Sequence, residues 1–323
     1  MYKWRSQDTL DLCICNVVFS CIYWYKCTFD NIENSATEFL SGFIGFYVLN
    51  ITMGMSVFAW IPSFVSYAIT NDQWLYFTEL LQMLEEYEWI GYAIFACFSF
   101  TAAYVIHGFY LFTLTHVMDR DTFDKLGFCK LQKNKRVSLK QIYKAIWPMA
   151  WNLIFIAYPF LSWIAYKTIT TDNYLRKGPL PSFYDRLLSL MSVILMNEIL
   201  FYYTHRAFHH PYLYKRFHKM HHEFTSPIGL VAIYCTPVEF IVSDLMPLSV
   251  GLFFPHTHHV YFALVWIISA NIATQVHHSG ILTPYRFGID EQPEFHDIHH
   301  KYFNCNYGAI GILDRLHGTA RHI

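Results

Sequence analysis

Two long stretches of the chain, Phe39–Ile69 and Trp89–Met118, contain no Asp, Glu, Lys or Arg, and a third, Ile146–Tyr166, is equally free of them. A helix of about 20 apolar residues crosses a bilayer core. Each of the three is long enough. A fourth stretch, Leu187–Thr204, is interrupted only by Glu198. Thr225–Pro255 and Val260–Val276 are apolar and flank the turn-like Pro255-His256-Thr257-His258-His259, a pattern that predicts a hairpin dipping into the membrane and returning. Asp11–Cys27 is shorter and reads either as a span or as an interfacial helix, without the basic start and small-residue cleavage site of a signal peptide. The fold class that follows is all-α, a polytopic membrane helical bundle.

Composition sharpens this. Of 323 residues 54% are hydrophobic, 19% aromatic and only 15% charged, with a formal net charge of −1. Disorder, a coiled coil and a nucleic-acid binder are all excluded by so apolar and charge-poor a mixture. The eight cysteines, Cys13, Cys15, Cys21, Cys27, Cys97, Cys129, Cys235 and Cys305, form no C-x-x-C pair, which argues against a disulfide scaffold or a zinc ribbon. Residues 1–145 are expected to supply N-terminal membrane spans and a basic loop, and residues 146–323 the catalytic domain.

Orientation follows from the positions of Lys and Arg. Asp119–Lys144 carries eight basic residues against three acids, whereas Thr70–Glu88 has five acids and no base. The first is expected in the cytoplasm and the second in the lumen. Two further spans return the chain to the cytoplasmic side at His205, where Arg206, Lys215, Arg216 and Lys219 precede the first acid, Glu223. A hairpin over 225–276 starts and ends on that same side.

Histidine is unevenly distributed: 16 of 18 fall within residues 205–322, where an even spread would place about seven. Three patterns stand out, His205-x-x-x-His209, His218-x-x-His221-His222 and His296-x-x-His299-His300. On a helix, residues three and four apart share a face, so each pattern aims its imidazoles at one point. Eight imidazoles exceed the four ligands of a structural zinc. Two metals are the economical reading, giving a cytoplasm-facing histidine-rich di-metal site. Imidazole suits several metals, but a site at the ends of membrane helices is placed to act on a lipid. Attack on an unactivated C–H bond needs a redox metal and oxygen, which favours iron; zinc can occupy such sites after overexpression. His107, His116, His256, His258 and His259 read instead as core or interface residues.

The nearby carboxylates are less decided by the sequence. Glu198 lies two helical turns before His205 within an apolar span, where an acid is a functional hypothesis; it reads either as an acceptor for a ligating imidazole or as a helix-packing residue. Asp297 is off the histidine face by one position and reads as supporting a ligand or as solvent-facing. Glu239 and Asp244 either line a polar cavity or lie near the interface.

The segments HRAFHHP, YKRFHKMHHEFTSPIG, HHSG and EFHDIHHKYFNCNYGAIGILDRLHGT, in that order, resemble the fatty acid hydroxylase superfamily over about residues 190–320. The likeness is greatest to its methylsterol (C4) monooxygenase branch and the fatty-acid-hydroxylase-domain proteins. The resemblance implies a multi-span enzyme of the endoplasmic reticulum membrane with a non-haem di-iron centre. It further implies use of O2, with electrons from NAD(P)H by way of cytochrome b5 and its reductase. It places His205, His209, His218, His221, His222, His296, His299 and His300 on the three family motifs. His278 falls on an additional family histidine, which His277 could replace, and Glu198 on a position where the family commonly has an acid. The function implied is hydroxylation of a lipid C–H bond, foremost on a C4-methylsterol. A fatty acyl hydroxylase and a sterol desaturase or side-chain hydroxylase would use the same site, and a membrane metal transporter is the reading from another class. Transport would call for ligands at mid-span, whereas these histidines gather beside basic residues at one membrane edge.

Glycosylation acceptors or tags at positions 130, 212 and 305 are expected to report the cytoplasm and one at 80 the lumen. A lumenal signal at 212 would separate the clusters and end the shared-site reading.

Overall fold

The computed structural model describes residues 71–171, 175, 177–253, 258–282 and 292–322. The span expected at Phe39–Ile69, the segment Asp11–Cys27, the four cysteines within it and before Cys97, and His256 lie outside the described residues. Helices dominate: α1 Asn71–Gln82, α2 Glu88–Phe112, α3 Arg120–Lys125, α4 Leu139–Trp151, α5 Tyr158–Thr170, α6 Phe183–Phe208, α7 Val260–His277, α8 Glu294–Tyr302 and α9 Ile312–His317. A wide π turn, Asn152–Ala157, joins α4 to α5 without a break. Among the described residues the only sheet pairs β1 Cys129–Lys130 antiparallel with β2 Ile281–Leu282, in the register Cys129↔Leu282 and Lys130↔Ile281.

Four helical runs, Glu85–Val117, Leu139–Thr170, Tyr184–Phe208 and Val260–His277, are long and apolar enough to cross a membrane. They overlap the apolar stretches Trp89–Met118, Ile146–Tyr166, Leu187–Thr204 and Val260–Val276 of the sequence. Ile94, Phe98, Val105, Ile106 and Phe109 of α2 point outward, Phe98 being 69% exposed. An outward apolar face of this kind suits hydrocarbon rather than water. Inward, Ala93 and Ala103 of α2 are buried, and α2 packs against both α5 and α7. Polar side chains tie these helices together. Asn271 Nδ2 donates to the Phe100 carbonyl at 3.0 Å and Gln275 Nε2 to the Tyr104 carbonyl at 2.9 Å. His107 Nδ1 lies 2.8 Å from Gln275 Oε1, so His107 is a core residue, as its isolated position suggests.

The first arm of the expected hairpin is corrected. Residues 225–236 hold only the 3₁₀ turn Gly229–Val231, and the helical run begins at Pro237 and proceeds through Pro237–Glu239, Phe240–Leu245, Met246–Val250 and Gly251–Phe253. Pro227 and Pro237 explain this, because proline lacks the N–H of a helix interior and restricts the residue before it. The irregular stretch keeps its carbonyls bonded within the protein. Tyr104 Oη donates to the Leu230 carbonyl at 2.6 Å, and Asn152 Nδ2 donates to the carbonyls of Ile233 at 3.1 Å and Cys235 at 3.0 Å. Non-helical backbone beside a bilayer is tolerated when it is enclosed in this way.

Gly229 is the point of closest approach. A Cβ there would lie 2.3 Å from Leu111 Cδ1 and 2.8 Å from the Gln275 carbonyl oxygen, and the backbone atom cannot swing aside. Gly229→Ala is therefore expected to cost about 1–3 kcal/mol of stability, read as a lowered thermal-unfolding midpoint of the purified protein. An unchanged midpoint would mean that this turn is not clamped between α2 and α7.

Candidate metal centre

Three helices, α6, α7 and α8, end at one place. Ser182 caps α6 by accepting from Asp185 N, and this 26-residue helix delivers His205 near its end and His209 as its C-cap. Pro211 opens the next short helix, which turns the chain so that His218, His221 and His222 face back. α7 ends at His277 with His278 as its C-cap. Gly280, at φ +66°, then reverses the chain where a Cβ would stand 2.9 Å from the Pro227 carbonyl. In α8, His296, His299 and His300 share a face, and Phe303 in the left-handed region (φ 68°) terminates it.

The side chains fall into two groups, His205, His209, His218, His222 and His299 in one and His221, His278, His296 and His300 in the other. All nine histidines named from the sequence as ligands are thus brought together; His205 and His209 enter the same group, while each of the two three-histidine patterns is divided between the groups. Within the first group the Nε2 atoms of His218 and His209 are 2.9 Å apart, His222 and His218 3.0 Å, and His299 and His222 3.1 Å. In the second, His296 and His278 are separated by 3.0 Å and His300 and His296 by 3.1 Å.

The opposite ring nitrogens decide what these contacts mean. His205 Nδ1 is 2.8 Å from the Tyr307 carbonyl, His278 Nδ1 2.7 Å from that of Thr274, His299 Nδ1 2.7 Å from that of Cys305, and His300 Nδ1 3.1 Å from that of Phe224. A carbonyl only accepts, so in these four rings Nδ1 carries the proton and Nε2 presents a lone pair. His218 Nδ1 likewise donates to Glu239 Oε1 at 2.7 Å. An Nε2 lone pair about 3 Å from its neighbours is satisfied either by an N–H of an adjacent ring or by a cation held among them. A metal–nitrogen bond of about 2.1 Å puts neighbouring ligand nitrogens about 3.0 Å apart at a right angle and about 3.4 Å apart at the tetrahedral angle. The observed spacings fit ligands of a metal ion, and the five-histidine group exceeds the four ligands of a tetrahedral site.

Electrostatics favour the same state. Burial pushes His209 down to about 2 and His278 to about 3. Burial, reinforced by neighbouring imidazoles, holds His218, His221, His222, His296, His299 and His300 well below the usual 6.5. At neutral pH these rings are neutral and free to ligate.

The carboxylates fall out differently from the sequence expectations. Glu198 is 1% exposed and does not hold an imidazole: its Oε2 accepts from Ile310 N at 2.9 Å and its Oε1 from Leu313 N at 3.1 Å. Together with Asp314, which accepts from Tyr307 N at 2.8 Å, it fixes the loop whose Tyr307 carbonyl meets His205. Its influence on the ligand passes through the backbone. Asp297 is neither solvent-facing nor bonded to a ring; both its oxygens accept from Gln132 Nε2, at 3.1 and 3.0 Å, and burial lifts its carboxyl to about 6. It ties the basic loop over the site. The acid that does support a ligand is Glu239, which the sequence left undecided. Its only advance sign was an acid in an apolar stretch. His277 stands outside both groups, its ring 6.3 Å from that of His296.

Between α6 and α7, a cavity of about 180 Å³ leads away from His205, His218 and His278 toward Leu190, Leu248 and Trp266. Leu190 and His205 are fifteen residues apart, so the cavity follows roughly 22 Å of α6. Its walls are mainly apolar.

The fatty acid hydroxylase family model matches residues 190–319, the part of the chain that holds all nine histidines and the cavity. Fatty acid hydroxylase domain-containing protein 2 of Homo sapiens is 40% identical over 171 residues, 53% of this chain and 47% of that protein. Fatty acid hydroxylase ahd1 of Mycosarcoma maydis is 34% identical over 217 residues, 65% of this chain and 53% of that one. Methylsterol monooxygenase 1 of Gallus gallus is 29% identical over 202 residues, 59% of this chain and 65% of that one. The aligned region spans about half the length of the first two relatives. No solved structure matches.

Loss of an acid that orients a ligating histidine typically costs about 10–100-fold in metal affinity or activity. Glu239→Gln is expected to weaken metal retention by that order in a chelator-competition titration, with the helical circular dichroism unchanged. Retention equal to the unmodified protein would remove Glu239 from any supporting role.

Proposed function

From the match of residues 190–319 to the fatty acid hydroxylase family model we propose that the protein is a membrane di-iron monooxygenase that hydroxylates a lipid C–H bond, with a C4-methylsterol as its foremost substrate. The observation that carries this reading is the junction of two all-imidazole groups with an apolar cavity that runs between membrane-length helices. His205, His209, His218, His222 and His299 would hold one iron and His221, His278, His296 and His300 the other. When bound, the pair supplies O2 activation for attack on an unactivated C–H bond.

The chain's own residues do the rest. Glu239 and the carbonyls of Tyr307, Thr274, Cys305 and Phe224 keep each ring in one tautomer and one orientation. Leu190, Ile194, Leu248 and Trp266 exclude water and accept a hydrocarbon skeleton. Around the site, Lys133, Lys135, Arg136, Lys215, Arg216, Lys219 and Lys301 are exposed, a cationic face suited to an acidic electron donor. Cytochrome b5 with its NAD(P)H-dependent reductase is the donor proposed, and the cytoplasmic face of the endoplasmic reticulum the location. A fatty acyl substrate is the alternative supported by the family's description and by the fungal relative's name.

Protein purified without oxygen is expected to hold about two iron atoms per chain and, with O2 and a reduced donor, to convert a 4-methylsterol to its hydroxymethyl product. Replacing His221 and His278 together by alanine is expected to leave about one metal atom and no product. Two metals retained in that double variant, or iron-loaded protein that oxidises neither a sterol nor a fatty acyl lipid, would overturn the proposal.

A further inference from the structure

One polar edge lining the cavity has no part in holding the two metals. Successive residues on a helix point about 100° apart, so while His278 turns into the second histidine group, His277 does not join it and lines the cavity instead. Its Nε2 is buried and makes no hydrogen bond. Ser269, two turns earlier on the same face of α7, also lines the cavity, is 3% exposed and has an unbonded Oγ. A buried polar atom left without a partner costs about 1–3 kcal/mol. Two such atoms facing a cavity point to an occupant with polar atoms of its own.

Their positions are not equivalent. α6 and α7 both run toward the histidines and end there, so His277 marks the end of the cavity beside the metals and Ser269 lies about 12 Å back along the helix. A lipid entering from the bilayer keeps its polar end near the membrane edge and its skeleton in the apolar part. The histidine end of the cavity is that edge.

Resting on the hydroxylase reading, we propose that His277 binds an oxygen atom of the lipid substrate, a hydroxyl or carbonyl within a few bonds of the carbon presented to the metals. The substrate is then a lipid already oxygenated next to its reaction site, not a plain hydrocarbon chain, and His277 sets which carbon is offered. Either tautomer of the ring serves, since a hydroxyl both donates and accepts. A sterol with a 3-hydroxyl beside its C4 methyl groups and a fatty acid with its carboxyl beside the α-carbon share this chemistry.

The test measures binding of three radiolabelled probes to the full chain, iron-loaded, in lipid nanodiscs: a 4-methylsterol, its 3-deoxy counterpart and a long-chain fatty acid. The unmodified protein is expected to bind the hydroxyl sterol about tenfold more tightly than the deoxy form. His277→Phe, which keeps a ring and removes both nitrogens, is expected to lose that preference while retaining its iron. His277→Gln is expected to restore part of it, because the amide reaches a similar position. Binding of the fatty acid with neither sterol bound, lost in His277→Phe, assigns the same site to an acyl substrate. A preference that survives His277→Phe, or that disappears in Ser269→Ala instead, overturns the inference. If that happens while the unmodified protein still forms hydroxylated product, the hydroxylase reading stands. Oxygen-dependent binding through His277 without any oxidised product overturns the hydroxylase reading and leaves the inference.

Discussion

Nine imidazoles gathered into so small and buried a volume have to satisfy their ring nitrogens among themselves or on cations, and the rest of the described structure answers that constraint. Protonating the rings would set like charges side by side and is opposed by burial. Cations would satisfy the rings that present lone pairs, and the helices are arranged to favour them. α6 ends in His205 and His209, α7 in His277 and His278, and α8 in His299 and His300. Each helix therefore turns its partially negative C-terminus toward the place where positive charge is needed.

A site of this kind beside a membrane creates a second demand, because the chain has to change direction between ligands without exposing peptide groups to hydrocarbon. The segment from Phe224 to Thr236 does this under cover of Tyr104 and Asn152. The basic loop is drawn across the opposite side by the β1–β2 pair, by Leu131 N donating to the Gly280 carbonyl at 3.0 Å, and by Gln132 on Asp297. Helices supply the apolar cavity, and short irregular connections supply the closure around the histidines.

The spans and the histidine patterns were legible in the sequence because both depend on local regularities, a run without charge in one case and three- and four-residue spacing in the other. His278 was reachable only through resemblance, since a His-His pair after an apolar helix has no ligand spacing of its own. The supporting carboxylates were not legible. Glu198 shares a helical face with His205, yet it bonds to a loop more than 110 residues away, a pairing that only the tertiary path creates. Glu239 reaches His218 across a turn whose course depends on Pro227 and Pro237. The division of nine ligands into two groups was also hidden, because His221 and His222 are adjacent in sequence and belong to different groups.

The partners of the ligating rings carry a consequence for how this site tolerates change. Four of the five Nδ1 contacts end on main-chain carbonyls, at Tyr307, Thr274, Cys305 and Phe224. A carbonyl is present whatever side chain its residue bears. The orientation of the ligands is thus written in the course of the backbone and not in residue identity at those positions. Such positions can drift in sequence while the support survives, and an inventory of side chains would pass over them. An inserted or deleted residue between Phe303 and Asp314 would carry the Cys305 and Tyr307 carbonyls away from His299 and His205 although every histidine remained in place.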